Sequence, residues 1–332
     1  MFKVIRGIEI SNYLDQETES VLKIVEETYL MHKNGFTNNP DSYFLKFPDN
    51  DKDRIIALPA SINDPNIQIA GIKWIASYPG NIEKNLQRAS ATMILNDYRT
   101  GYPLALLEAS QISAHRTAAS GAITVGALSE RGREINTVTL VGCGVLGQKT
   151  IHYLVSLGFD IKELMVYDLN EKYAERFVEK NDQFEKCRIS STLKEAFESD
   201  LIILTTTSVE PYINVGDIDI KRQIILNISL RDLHPIIIEN SLNVVDDIDH
   251  CLKAQTSCHL TEQKLGNRDF INAVIADVLD GSFEDDTSKP IVISPFGLGV
   301  LDLALAYHIY KYKYDDASTV DIEGFLPDMK RL

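Results

Sequence analysis

Glycines at 142, 144 and 147 follow the apolar run TVTLVG and open the segment QKTIHYLVSLG, so that strand, turn and helix share the spacing G-x-G-x-x-G. That arrangement suits the pyrophosphate of a dinucleotide. Gly142 permits the tight turn, Gly144 lets backbone approach an anion, and Gly147 lets helix and strand pack closely. Free backbone N–H groups at the helix start, at Val145, Leu146 and Gly147, complete such a cradle. Asp168 ends the next apolar run, ELMVYD, 21 residues after Gly147. A carboxylate there accepts hydrogen bonds from the adenosine ribose and repels a 2′-phosphate, so the expected cofactor is NAD rather than NADP. Thr205, Thr206 and Thr207 close the run DLIILTTT and are placed to meet the middle of the cofactor. The strand preference of threonine is the competing explanation for those three.

A second set of residues suits an anionic substrate. Lys73 sits in AGIKWIAS, Arg116 in SAHRTAAS, and Arg54 begins RIIALP. A lysine inside an apolar strand is costly to bury unless it meets an anion or loses its proton. Arg116, among Ala, Ser and Thr, offers a planar fork matched to a carboxylate. Each alone is also explained by a long stem lying along the surface with its charge in water.

The elements that must position these groups fall into two patterns. From residue 137 onward, six apolar runs (137–142, 163–168, 200–207, 223–229, 242–247 and 291–296) alternate with helical stretches. That predicts a doubly wound, mainly parallel sheet of the Rossmann type. The segment 268–281 reads as one late amphipathic helix closed by Gly281. The first 110 residues predict one helix over 14–35 and then strands at SYFLKF, DRIIALPASI, QIAGIKWIAS, SATMILND and YPLALLEAS, with a hairpin turn in NDYRTGYP. A long small-residue helix over 107–128 links the halves, and LGVLDLALAYHIYKYKY is again helical. The expected fold class is therefore α/β, with a Rossmann-type sheet inserted into an α+β substrate-binding unit. The boundaries are 1–118 plus 300–332 for the outer domain and 119–299 for the inserted one.

Composition narrows the partners. A net charge of −15 and a pI near 4.9 argue against nucleic acid or an anionic membrane surface. No run of 18 apolar residues and no secretory h-region are present, so a cytoplasmic protein is expected. Cys143, Cys187, Cys251 and Cys258 are scattered without a disulfide framework. HCLKAQTSCH brings His250, Cys251, Cys258 and His259 close in sequence, but the spacing is unlike that of structural zinc sites, and no metal is expected.

AGIKWIAS, ILNDYRTGYPLALLEAS, SAHRTAAS and VGCGVLGQ, in that order, resemble the ornithine cyclodeaminase/μ-crystallin family over essentially the whole chain. The resemblance implies a dimeric enzyme whose N-terminal substrate and dimerisation domain surrounds an NAD-binding Rossmann domain. It implies that Lys73 stands beside the reacting carbon and that Arg116 grips an α-carboxylate. Asp232, in NISLRDLHP, would move protons at the amine or an attacking water, and Thr117, Gly297 and Leu298 would line the cofactor. His115 and His234 adjoin these positions without an assigned role.

Within the family, DRIIALPASI, GIKWIAS and NISLRDLHP are most similar to a branch that oxidatively cleaves N-(2-amino-2-carboxyethyl)-L-glutamate. The products are 2,3-diaminopropionate for siderophores or peptide antibiotics, and 2-oxoglutarate. A pyridoxal-phosphate synthase joining phosphoserine to glutamate would act upstream. Two departures argue against ornithine cyclisation: NNPDSYFLK lacks the family arginine, and Asp232-Leu233-His234-Pro235 lacks the D-x-P-G-K pattern. Lys46 and Arg54 are the candidate replacements for the missing charge. The other activities that the resemblance implies are ornithine cyclodeaminase, alanine dehydrogenase, ketimine reductase and a non-catalytic binding protein.

Overall fold

A computed structural model describes residues 1–216 and 218–327. The chain divides into two compact units, one formed by Met1–Arg116 with the segment from Leu298, the other by Thr117–Gly297. The division falls inside the helix Ser110–Ser129.

The outer unit is built on an eight-stranded sheet. Its centre is the antiparallel run of Asn50–Asn63, Gln68–Ser77, Ala89–Asp97 and Pro103–Glu108. Phe2–Ile5 adds in parallel to Pro103–Glu108, and Val320–Ile322 closes that edge. The hairpin at NDYRTGYP forms as expected: the Gly101 N–H donates to the Asp97 carbonyl, with Gly101 at φ +72°. The helix Gly299–Tyr312 packs on the central strands, because its apolar residues cover one sheet face. Leu303 lies so close to Gly71 that a Cβ there would stand 2.9 Å from it.

In the other unit, eight strands form an all-parallel sheet. Leu201–Leu204 and Ile291–Ser294 are buried at every position, as continuous apolar strands covered on both faces must be. The small-residue helix Ser110–Ser129 begins where the Glu108 carboxylate accepts the N–H groups of Ser110 and Gln111, at 2.7 and 3.3 Å. Farther along, Gly121 packs against Leu226, where a Cβ would stand 2.6 Å from the leucine.

Three expectations need correction. Residues 14–35 are not one helix: Gly7–Gln16 and Thr18–Lys33 meet at Glu17, and the first begins earlier than its sequence pattern shows. Residues 268–281 are not one helix either. Ala273–Val274 forms a short strand, and the Asp277 carboxylate accepts the Val274 N–H at 2.9 Å, so the helix starts only at Ile275. Finally, the parallel sheet is wider than six strands, gaining Cys187–Ile189 and Ala273–Val274 at its edges.

Candidate active site

The outer unit gathers Lys73, Arg116 and a third residue, Asp302, into one buried cluster. Lys73 Nζ lies 2.6 Å from Asp302 Oδ2 and 3.1 Å from the Ser113 hydroxyl, and Arg116 Nε lies 3.3 Å from the same carboxylate oxygen. Lys73 and Asp302 are almost wholly excluded from solvent. Burial lowers the Lys73 pKa from its ordinary value to about 8; Asp302 opposes that shift, and Arg116 adds to it. Lys73 is thus poised to carry or lose its proton close to neutral pH. Two cations facing one carboxylate leave a net positive charge, the condition for drawing in a further anion.

Arg54 stands elsewhere on the same sheet face. It is opposite Ser77 in the strand register, whereas Lys73 is opposite Leu58. The segment without the family arginine contributes Asn39, whose side-chain oxygen accepts the Val300 N–H at the start of Gly299–Tyr312. His115 is buried with Nε2 3.7 Å from Asp15 Oδ1.

In the parallel unit the glycine turn has the expected form. Gly142 is at φ +94°, where a Cβ would meet the Thr205 backbone at 2.9 Å, and a Cβ on Gly147 would stand 2.8 Å from Leu140. Gly144 has open space around it, with exposed Val145 and half-buried Leu146 beginning the helix Val145–Ser156. Asp168 is held by the N–H groups of Cys143 and Asn170, each at 2.8 Å. Burial, with Asp168 second, pushes the Cys143 thiol up to about 12, so it stays protonated. A cleared backbone at Gly144, an open helix start and an aimed carboxylate are the features that a dinucleotide such as NAD needs of its site.

The two glycines differ in what alanine would do. Gly142→Ala is expected to destabilise this unit by about 1–3 kcal/mol through its left-handed φ, lowering both the unfolding midpoint and the NAD affinity. Gly144→Ala is expected to leave the midpoint in place while weakening NAD in calorimetry, since the added methyl meets only the approaching pyrophosphate. Equal loss of stability in both would contradict this division.

Asp232 is buried in the turn that follows the parallel strand Ile224–Asn227, with the Thr206 hydroxyl 2.8 and 2.9 Å from its two oxygens and the Tyr212 hydroxyl 3.3 Å away. Burial raises its pKa, and the hydroxyls of Thr206, Ser229 and Tyr212 only partly offset this. Burial and then Asp232 raise the Tyr212 pKa, keeping its phenol protonated. Thr205 turns its hydroxyl to the Gly142 carbonyl at 2.6 Å, while Thr207 is exposed. Gly297, at φ +105°, donates its N–H to Asp246 at 2.5 Å. Leu298 is buried before the helix Gly299–Tyr312, and Thr117 follows Arg116 directly on its helix. His234 precedes the short helix Pro235–Glu239 and donates its backbone N–H to Ile213.

With these geometries in hand, comparison with known proteins decides the family. Residues 5–316 match the model of the ornithine cyclodeaminase/mu-crystallin family. The chain belongs to the ornithine cyclodeaminase/mu-crystallin family. Among relatives in this family, the N-((2S)-2-amino-2-carboxyethyl)-L-glutamate dehydrogenase of Staphylococcus aureus is 32% identical over 84% of this chain and 85% of its own. The alanine dehydrogenase of Archaeoglobus fulgidus is 28% identical over 89% and 92%. A solved archaeal alanine dehydrogenase dimer with bound NAD superposes with a TM-score of 0.86 at 26% identity, covering 98% of this chain and 99% of the other. The Δ1-pyrroline-2-carboxylate reductase of Thermococcus litoralis, solved with NADH and L-proline, shares the fold at a TM-score of 0.87 and 22% identity, over 96% and 100%.

Sequence reasoning overlooked Asp302, Tyr212 and Asp246. Asp302 had a readable signal: it is the acid inside the apolar run GVLDLALAY, a position that demands a cationic partner.

Proposed function

We propose that this chain, an NAD-dependent oxidoreductase, cleaves N-((2S)-2-amino-2-carboxyethyl)-L-glutamate with water to L-2,3-diaminopropionate and 2-oxoglutarate. The observation that carries the reading is the similarity to the Staphylococcus aureus dehydrogenase along most of both chains. The net positive Lys73–Arg116–Asp302 cluster supports it, since the substrate has several carboxylates. The outer unit acts as substrate-binding and dimerisation domain, and the parallel unit binds NAD.

Bound NAD+ supplies a hydride acceptor for the glutamate α-carbon. Arg116 holds the α-carboxylate, and protonated Lys73 orients it and polarises the C=N bond left when the amine gives up its proton to solvent. Asp232 takes a proton from the water that attacks this bond. It returns that proton to the nitrogen and then carries the proton of the carbinolamine hydroxyl to the same atom, so that the C–N bond breaks and the carbonyl of 2-oxoglutarate forms. A buried carboxylate with a raised pKa suits both duties. Tyr43, Leu45, Trp74 and Ile94 are exposed on the sheet face opposite Lys73, an apolar surface suited to a second copy in a homodimer. The product serves a siderophore or peptide natural product in the cytoplasm, downstream of a pyridoxal-phosphate synthase that joins phosphoserine and glutamate.

The test follows NADH absorbance with this substrate, with alanine and ornithine in parallel. NADH and 2-oxoglutarate in equal amounts from the first substrate support the reading. NADH from alanine alone, or proline from ornithine, would replace it. The same assay across pH carries a signed expectation. kcat/KM falls as pH rises through about 8, where free-enzyme Lys73 loses its proton. The limb in kcat lies higher, because a bound carboxylate favours the charged lysine. A basic limb confined to the ordinary lysine range would remove Lys73 from this role.

A further inference from the structure

Beyond the buried cluster, Arg54 and Lys46 lie on the same sheet face, and Arg88, just before the strand Ala89–Asp97, is close enough to feel the charge of Arg54. Arg54 is opposite Ser77 and Ser77 is opposite Ala89, so these three occupy facing positions on three strands, while Arg88 stands one residue before Ala89, its carbonyl accepting the Tyr78 N–H at 2.8 Å. Lys46 stands directly opposite Arg54 on the fourth. Like charges facing each other across a sheet are unfavourable unless an anion joins them. Among the described residues, neither Arg54 nor Arg88 has a carboxylate partner, and the buried Ser77 Oγ and Arg88 Nε have no hydrogen-bond partner. Burial, followed by the charge of Arg54, lowers the Arg88 pKa. In a chain of net charge −15, such a group without an acid marks a place prepared for an anion from outside.

The helix Gly299–Tyr312 does not cover this place. Gly299 lies over Leu58, Asp302 meets Lys73, and Leu303 lies over Gly71, so the helix begins above Lys73 and runs away from Ser77. The face between Lys73 and Ser77 is beyond its first turn. Four residues of strand separate the two positions, roughly 13 Å between Cα atoms, a gap that the long side chains of Lys73 and Arg54 narrow from both ends.

We propose that Arg54, Arg88 and Ser77 form a second anion subsite that takes the distal carboxylate of a five-carbon dicarboxylate, selecting a glutamate-derived substrate over one with a neutral side chain. Lys46 stands at its rim. The proposal rests on the assignment of the α-carboxylate to Lys73 and Arg116. Arg88 is then a determinant of specificity, through its unpartnered guanidinium beside Arg54.

Calorimetry on the NADH-loaded protein tests this with 2-oxoglutarate and with 2-oxopentanoate, in which a methyl group replaces the distal carboxylate. Wild type is expected to bind 2-oxoglutarate at least about tenfold more tightly, the worth of a charge-assisted hydrogen bond. Arg88→Ala and Arg54→Ala should each erase that preference while leaving 2-oxopentanoate within about twofold, and Arg88→Lys should restore part of it. Thermal melts identify any variant that has simply unfolded, for which Arg88→Lys and Arg88→Gln provide the replacement comparison. No preference in wild type, no binding of either acid, or a preference that survives in folded variants overturns the subsite. If cleavage of the proposed substrate fails while the dicarboxylate preference depends on Arg88, the subsite stands and the proposed reaction alone is lost.

Discussion

Asp302→Ala is expected to cost about 3–5 kcal/mol of folding stability, the usual penalty for removing one partner from a buried ion pair. The loss exceeds the value of a single hydrogen bond, because the carboxylate serves Lys73 at 2.6 Å and Arg116 at 3.3 Å, and neither cation can reach bulk water. Asp302→Asn preserves shape and isolates the charge. Asp302 raises the Lys73 pKa both as a charge and as a hydrogen-bond acceptor, so its neutralisation moves that pKa below about 8. The sign of the stability change follows. A lysine whose folded pKa lies below its unfolded value of 10.5 binds fewer protons in the native state between those two values. Stability therefore rises with pH through that window. The Asn variant should show its largest deficit in acid and recover part of it in alkali, as Lys73 sheds its charge. Denaturant melts at several pH values measure this. A deficit independent of pH would place the cost in packing instead of in the uncompensated lysine.

How much of this was legible beforehand varies with the kind of signal. The parallel strands at 137–141, 201–204 and 291–294 are continuous apolar runs, because both faces are covered, and such runs stand out from their surroundings. Cys187–Ile189 did not stand out. It is a three-residue edge strand with Arg188 at its centre, and its pairing to Glu163–Tyr167 supplies what its composition does not. The segment 268–281 misled for a different reason. Its apolar spacing suits a helix, yet Asp277 caps Val274 and so sets the helix start seven residues later than the pattern allows. The same difference separates the site residues. Gly142, Gly144, Gly147 and Asp168 are linked by local chain geometry, so their spacing is itself the signal. Lys73 and Asp302 are 229 residues apart and meet only through the packing of a helix on a sheet. A one-dimensional reading can mark each as anomalous in an apolar setting, but it cannot pair them.

Asp232→Asn is expected to lower kcat by about 10²–10⁴-fold, the range for losing a general acid–base group, with little change in unfolding midpoint. The carboxylate is buried, and burial already raises its pKa, so replacing it with a neutral amide removes a charge that the site accommodates at a cost. Thr206 and Tyr212 can keep hydrogen bonds to the amide, since hydroxyls both donate and accept. The proposed division of labour makes the kinetic consequence specific. Asp232 acts on the attacking water and the leaving nitrogen, after the hydride has left the α-carbon. Stopped-flow absorbance should therefore show a burst of about one NADH per active site followed by slow turnover, where wild type shows no such separation. The acidic limb of the wild-type pH profile, set by ionisation of this carboxylate, should vanish with the substitution. Loss of the burst together with turnover would move Asp232 to the step that prepares the amine. Activity within about threefold of wild type would remove it from proton transfer altogether, leaving Tyr212, protonated and 3.3 Å from the same carboxylate, as the group to test next.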